Sequence, residues 1–377
     1  MRKGKGLVMD CSRCADIAAP ACATVEAAGC ILVYAAAPPA MGKARVVASG
    51  AGYRVEELAD DVLLLNGPCG DWSALLNGLE DRLSAVEADE TRLAPIGGLP
   101  SSGYDIALVA LKARPLPVLL GEARDAWLPR ILERQGTTSY FQPIVDITSG
   151  EIFAHEALLR ATADDGSVIS GGMIMEAGRR LGALHVLDQV ARTSAITGAH
   201  HLGMTSALFI NFFPTVVYDP VHCLQTTRQA MRDTGIMPQQ IVFEVVESER
   251  IANRDHLLKI LAYYRAEGFR IALDDLGSGY SSLNLLAALR PDFVKLDMEL
   301  VREVADDPLR RALVESLVRT ANEHGIQVIA EGVETVETAC VLASMGVQFL
   351  QGYLLGRPAP HLGTVSPETL AAVQAGR

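Results

Sequence analysis

From Tyr140 onward the chain alternates short apolar runs with longer amphipathic stretches, and that alternation leaves few architectures open. The runs are "YFQPIVDI", "IFAHEALLR", "SALFINFF", "IVFEVVES", "RIALDDLG", "DFVKLD", "QVIAEGVE" and "FLQGYLLG", eight in all and rich in Ile, Val, Leu and Phe. Helix-like stretches such as 255–267 and 309–323 lie between most of them. Alternating β and α units imply a parallel sheet, and eight of them predict an α/β fold closed into a (β/α)8 TIM-like barrel. The chain before Tyr140 has another rhythm. A strand at 30–34, a helix at 40–49, strands at 53–57 and 61–65, a helix at 72–87 and a strand near 92–96 predict a small α+β sandwich of ferredoxin-like type. "GGLPSSG" and 115–117 read as connectors, and a helix over 123–133 leads towards the barrel. The expected division is therefore 1–115, an accessory α+β domain with a cysteine-containing start, and 116–377, the barrel with its lead-in helix.

Composition narrows the partners. A net charge of −12 argues against a nucleic-acid polymer, whose backbone would be repelled. It leaves room for one small anionic ligand, because a bound cation inverts the local field. The two uncharged runs, 27–42 and 193–218, are interrupted by prolines, histidines and an asparagine, so no membrane span is expected. The basic N-terminus lacks an apolar signal core, and a cytoplasmic location is the expectation.

The chemistry sits at the ends of the runs. Glu156, Asn211, Glu244, the pair Asp274 and Asp275, Asp297 and Glu331 each fall at or near the carboxyl end of a predicted strand. In a parallel barrel those ends share one face, where active sites lie. So many carboxylates in one mouth repel one another unless a counter-charge is present. Hard divalent cations with oxygen ligands, Mg²⁺ or Mn²⁺, answer that need, and two ions bridged by one carboxylate would use such a set well. Each acid alone could equally be the N-cap of the following helix. As a set that explanation is poor, since caps favour Ser, Thr, Asp and Asn and three of these are Glu. Lys295, within "DFVKLD", would be costly as an isolated core lysine but is at home facing acids and a water.

At these residues the sequence resembles the EAL-domain phosphodiesterases that hydrolyse cyclic di-GMP. The motif stands as "EALLR" from Glu156 to Arg160, and the resemblance continues through "INFFP", "FEVVESE", "DDLGSGYSSL", "FVKLD", "AEGVET" and "QGYLLGRP", over about 127–358. The resemblance implies that Glu156, Asn211, Glu244 and Asp274 hold a first metal. Asp274 would bridge to a second, held also by Asp275 and Glu331. It further implies that Lys295 orients or activates the attacking water, with Asp297 supporting that cluster and Glu247 steadying the loop 275–282. Gln142, Arg160 and Gln351 are implied substrate contacts, and Glu334 an acid just outside the ligand set. The expected reaction is two-metal hydrolysis of cyclic di-GMP to linear 5′-pGpG, by a homodimer joined through the barrel. Leu276, Ser278 and the "FFP" after Asn211 depart mildly from the family pattern, and no ligand position is lost.

Two other readings stand beside this one. A catalytically silent EAL module would bind cyclic di-GMP as a receptor, and an unrelated barrel metalloenzyme would act on another phosphate ester. The latter fits the acids but not the ordered motif series. No GGDEF motif is present, which argues against cyclic di-GMP synthesis. Near the N-terminus, Cys11, Cys14, Cys22 and Cys30, the first two at knuckle spacing, allow a structural Zn²⁺ or redox site, or else are buried and idle thiols.

Overall fold

A computed structural model describes residues 30–67, 72–96, 109–246, 254–277 and 282–375. These divide into two compact units that part between Gln135 and Gly136, with Glu176–Ala183 grouped in the first. Among the described residues, no helix is long and apolar enough to cross a membrane.

The first unit is a sheet with helices on one face. Its strands are β1 (Cys30–Ala35), β2 (Arg54–Ala59), β3 (Val62–Asn66), β4 (Thr91–Ile96) and the two-residue β5 (Arg114–Pro115), in the order β2-β3-β1-β4-β5. Every pairing is antiparallel, as a strand–helix–strand–strand–helix–strand order requires when both helices cross on the same side. Ile31, Val33, Leu63, Leu65 and Leu93 face helices Pro38–Gly50 and Ser73–Arg82, while Leu32, Leu64 and Ala94 alternate to the other face.

Two details differ from the sequence expectation. The helix expected over 72–87 breaks at Leu83, because Ser84 starts a new one, Ala85–Glu90. Ser84 Oγ accepts from the Glu87 N–H (3.4 Å) and the Glu87 carboxylate accepts from the Ser84 N–H (2.8 Å), a reciprocal cap that the S-x-x-E spacing encodes. Helix Leu116–Arg124, expected on the barrel side, instead packs Leu116, Leu119 and Leu120 into the core of the first unit.

The second unit is a closed barrel of eight strands. They are β6 (Thr137–Asp146), β7 (Ile152–Thr162), β9 (Ala207–Phe212), β10 (Ile241–Val246), β11 (Arg270–Leu276), β12 (Phe293–Leu296), β13 (Gln327–Ala330) and β14 (Phe349–Leu350), with β14 returning to β6. The short β8 (Val168–Ser170) pairs with β7 outside the ring. All eight apolar runs of the sequence are barrel strands. The ring is not uniformly parallel, however, since β6 runs antiparallel to both β7 and β14. The reason is local. Only residues 147–151 separate β6 from β7, and a parallel return needs a crossover of a dozen or more. Asp146 Oδ1 accepts from the Thr148 N–H at 2.7 Å to start that tight turn.

Period-two alternation then sorts the side chains. Ile241, Phe243 and Val245 of β10 point outward with Leu257, Ile260, Leu261 and Tyr264 of helix Arg254–Ala266. Inside, Ile144, Ala154, Phe209, Val242, Ala272, Phe293, Ile329 and Phe349 form one apolar layer with a member from every strand. This layer is the floor of the site.

Candidate active site

Two residues beyond the floor, every strand turns polar. Ala154 is followed by Glu156, Phe209 by Asn211, Val242 by Glu244, Ala272 by Asp274, Phe293 by Lys295, Ile329 by Glu331 and Phe349 by Gln351. On the antiparallel β6 the order inverts, and Gln142 precedes Ile144. The eight positions make a single polar layer at one end of the barrel.

Lys295 is its hub. The buried ammonium lies 2.6 Å from Glu331, 2.8 Å from Glu244, 3.2 Å from Glu156 and 3.3 Å from Asp274. Asn211 Nδ2 donates to Glu156 Oε1 (3.0 Å), and Gln351 Nε2 donates to Glu156 Oε2 (2.6 Å). Gln351 also reaches Gln142 Oε1 at 3.3 Å, and Gln142 Nε2 donates to the Gly356 carbonyl at 3.1 Å.

Asp275 explains the doubled aspartate. Neighbours on a strand point to opposite faces, so Asp275 should face away from Asp274. Instead β11 shifts register between Leu273 and Leu276, and Asp275 takes a left-handed backbone (φ 57°). That conformation is one aspartate tolerates better than most residues, and at a site it marks constraint. Its effect is to return the second carboxylate to the first. Oxygens of Asp274, Asp275 and Glu331 all lie within 4.8 Å of one another.

The charges show what the layer lacks. Burial raises the Glu244 carboxyl well above its ordinary range, and Glu156 beside it adds to the rise. Burial likewise raises Asp274, lifts Asp275 to about 6 and lifts Glu331 to about 8. Glu156 alone goes down, its burial outweighed by Lys295 and Gln351. Burial alone would depress Lys295, but Asp274, Glu156, Glu244 and Glu331 together hold its ammonium well up. One cation is thus shared by four carboxylates, and Oε2 of Glu244 is buried with no hydrogen bond among the described residues. An all-oxygen donor set with a surplus of negative charge and an unpaired buried oxygen fits hard divalent ions.

A pH dependence follows. Glu331, with Glu244 and Asp274 in the same direction, holds a proton in the fold at a pH where the unfolded chain has lost it. Such groups make stability fall as pH rises towards the folded value. His155, lowered from 6.5 to about 4 by burial, acts oppositely but only below 6.5. In chelator, thermal stability is therefore expected to fall between pH 6.5 and about 8. Mn²⁺ should reverse the slope, because cations bind the deprotonated acids. Denaturation scans at the two pH values check this, and a chelated protein more stable at the higher pH contradicts it.

A cavity of about 340 Å³ opens on the layer, within the range of small-ligand sites. Gln142, Glu156, Glu331, Glu334 and Gln351 line it. Met298, Arg302 and Tyr353 also line it and were not singled out from the sequence, although "KLD" directly precedes Met298 and Tyr353 lies in "QGYLLGRP". Arg160 is not among the lining residues. Its guanidinium lies over the Tyr140 ring at 5.5 Å and donates to the Leu159 carbonyl. Asp297 is the one acid of the set that does cap a helix, accepting from the Glu299 N–H at 2.7 Å. Glu247, Cys11, Cys14 and Cys22 lie outside the described residues, and Cys30 is buried at the start of β1.

The family model described as the EAL domain matches residues 125–358, more than half of the chain. This chain belongs to the EAL domain family. The EAL motif itself is Glu156-Ala157-Leu158 on β7, with Glu156 in the polar layer, Leu158 lining the cavity and Ala157 facing the outer helices. A standalone EAL protein from Vibrio cholerae O395, solved in its c-di-GMP-bound form, is 36% identical with a TM-score of 0.58, over 62% of this chain and 97% of that one. Among curated relatives, the blue light- and temperature-regulated antirepressor BluF of Escherichia coli is 30% identical over 58% of this chain and 53% of its own length. The bifunctional diguanylate cyclase/cyclic di-GMP phosphodiesterase MucR of Pseudomonas aeruginosa is 30% identical over 62% of this chain and 34% of its own. The matches thus span only part of those relatives, 53% and 34% of their lengths, so their whole-protein activities are not transferred with the EAL domain.

Proposed function

We propose that this EAL domain binds cyclic di-GMP and hydrolyses one of its phosphodiester bonds to give linear 5′-pGpG. The observation that carries the reading is the complete polar layer, to which each of the eight strands contributes a carboxylate, amide or ammonium, with a cavity opening on it at Gln142, Glu156, Glu331 and Gln351. Glu156, Asn211, Glu244 and Asp274 would hold one Mg²⁺ or Mn²⁺, and Asp274, Asp275 and Glu331 a second. Bound there, the two ions supply Lewis-acid activation of water and of the scissile phosphate. Lys295, held protonated by its four acids, is a hydrogen-bond donor rather than a base. It orients the attacking water and offsets charge growing on the phosphoryl oxygens. Gln142 and Gln351 contact the ligand at the cavity wall, and Arg160 approaches a phosphate. Glu334 and Asp297 support the acids, and Glu247 steadies the chain after β11. The same reading has the protein working in the cytoplasm as a homodimer joined through its barrel, a state that light scattering checks.

The deciding experiment incubates purified protein with cyclic di-GMP and Mn²⁺ or Mg²⁺ and separates the products by chromatography. The expected result is 5′-pGpG, absent in excess chelator. Turnover unaffected by chelator would remove the two-metal reading. The name of BluF, an antirepressor, favours one alternative, a silent receptor. That alternative predicts binding of cyclic di-GMP with no product.

A further inference from the structure

The exit of β9 is held from outside the polar layer. Asn211 is the last inward-facing position of that strand, and Phe212 still pairs with Val245. Phe213 carries the first backbone N–H beyond the strand, and Pro214 after it has none. It donates to Asp188 Oδ1 at 3.1 Å. Asp188 lies in helix Leu184–His201, and its other oxygen is 2.7 Å from Nη2 of Arg192, one turn on. Both side chains are buried. Arg192 Nη1 in turn donates to Thr227 Oγ1 (3.0 Å) and to the Cys223 carbonyl (3.2 Å). Neither Asp188 nor Arg192 lines the cavity. A buried ion pair adds little stability over apolar residues of the same size, so stability alone is a weak reason for this one.

We propose that Asp188, braced by Arg192, is a positioning residue for Asn211, fixing the strand end that aims its amide at Glu156 and at the first divalent ion. The inference rests on the reading above that Asn211, with Glu156, Glu244 and Asp274, holds that ion. Groups bonded directly to metal ligands commonly govern ~10–100-fold in affinity, and Asp188 acts from two residues along the backbone, so the lower end of that range is expected.

The test is Mn²⁺ binding by calorimetry to the chelator-stripped full chain, with a melting curve for each variant. Asp188→Ala is expected to raise the Mn²⁺ Kd ~10-fold. Asp188→Asn keeps an acceptor for the Phe213 N–H, so its Kd stays near wild type although its melting point drops. The double variant Asp188→Leu with Arg192→Met removes both charges and the acceptor. It should melt above the alanine variant, which leaves the Arg192 charge buried and unpaired, and still lose ~10-fold in affinity, which separates the affinity loss from the stability loss. Val318→Ala, in the outer core, should lower the melting point without moving Kd. In an Asn211→Ala background, Asp188→Ala should cost little more, because both act through one ligand. Wild-type affinity in the alanine and double variants, or equal loss in the alanine and asparagine variants, overturns the inference alone. A wild-type chain that binds no Mn²⁺ overturns the functional reading and this inference together.

Discussion

Asp274→Asn should lose at least ~10³-fold in turnover of cyclic di-GMP while making the chelated protein more heat-stable. The first effect arises because Asp274 is the one carboxylate shared by both proposed ion sites. Several kcal/mol of electrostatic stabilisation depend on those ions, and each 1.36 kcal/mol is tenfold in rate. The second effect has the opposite sign for a physical reason. Burial and Glu156 raise the Asp274 carboxyl, so its ionised form works against the fold, and a neutral amide removes that penalty. Melting curves in chelator and in Mn²⁺, beside a product assay, separate the two. Retention of more than a tenth of the wild-type rate, or an undiminished Mn²⁺-induced rise in melting point, would defeat the shared-ligand assignment.

Lys295→Met should do the reverse to stability. It removes the only cation that contacts Glu156, Glu244, Asp274 and Glu331 among the described residues. Leaving buried charges without a partner costs ~3–5 kcal/mol, which lowers the melting point of a domain this size by ~10 °C. The loss should be greatest near pH 8, where the raised carboxyls are ionising. Mn²⁺ should restore much of the stability, since a divalent charge replaces the ammonium, but not the rate, since no donor then faces the water. A chelated variant as stable as the wild type at that pH would mean that the four acids are neutral in the fold.

Much of this was written in the chain. Outward and inward positions alternate along each run, so the apolar floor and the polar layer above it can be read as pairs two residues apart, "FVK" in β12 and "VFE" in β10 among them. Reading acids at strand ends therefore found the carboxylates and Lys295. Three things escaped for separate physical reasons. The reversed direction of β6 depends on the length of one turn rather than on strand pattern, and it is why Gln142 precedes its floor residue. Asp275 is named from the sequence, but the left-handed backbone that turns it towards Asp274 is announced by no periodicity. Met298, Arg302 and Tyr353 enter the cavity from segments beyond strand ends, where side-chain direction is set by tertiary packing.

The seam of the ring has a consequence for how the protein comes into being. Closure joins Asp146 to Phe349 and Val145 to Leu350, and β14 is only two residues long. Synthesis runs from the amino end, so strands β6 to β13 exist for some time with one gap unfilled. A chain ending before β14 also lacks Gln351, and with it the amide that donates to Glu156. An open sheet with an unpaired edge is a template for pairing with other chains. The nascent chain is therefore most exposed to misassembly just before its last strand arrives, and a truncated chain lacking β14 would remain in that state.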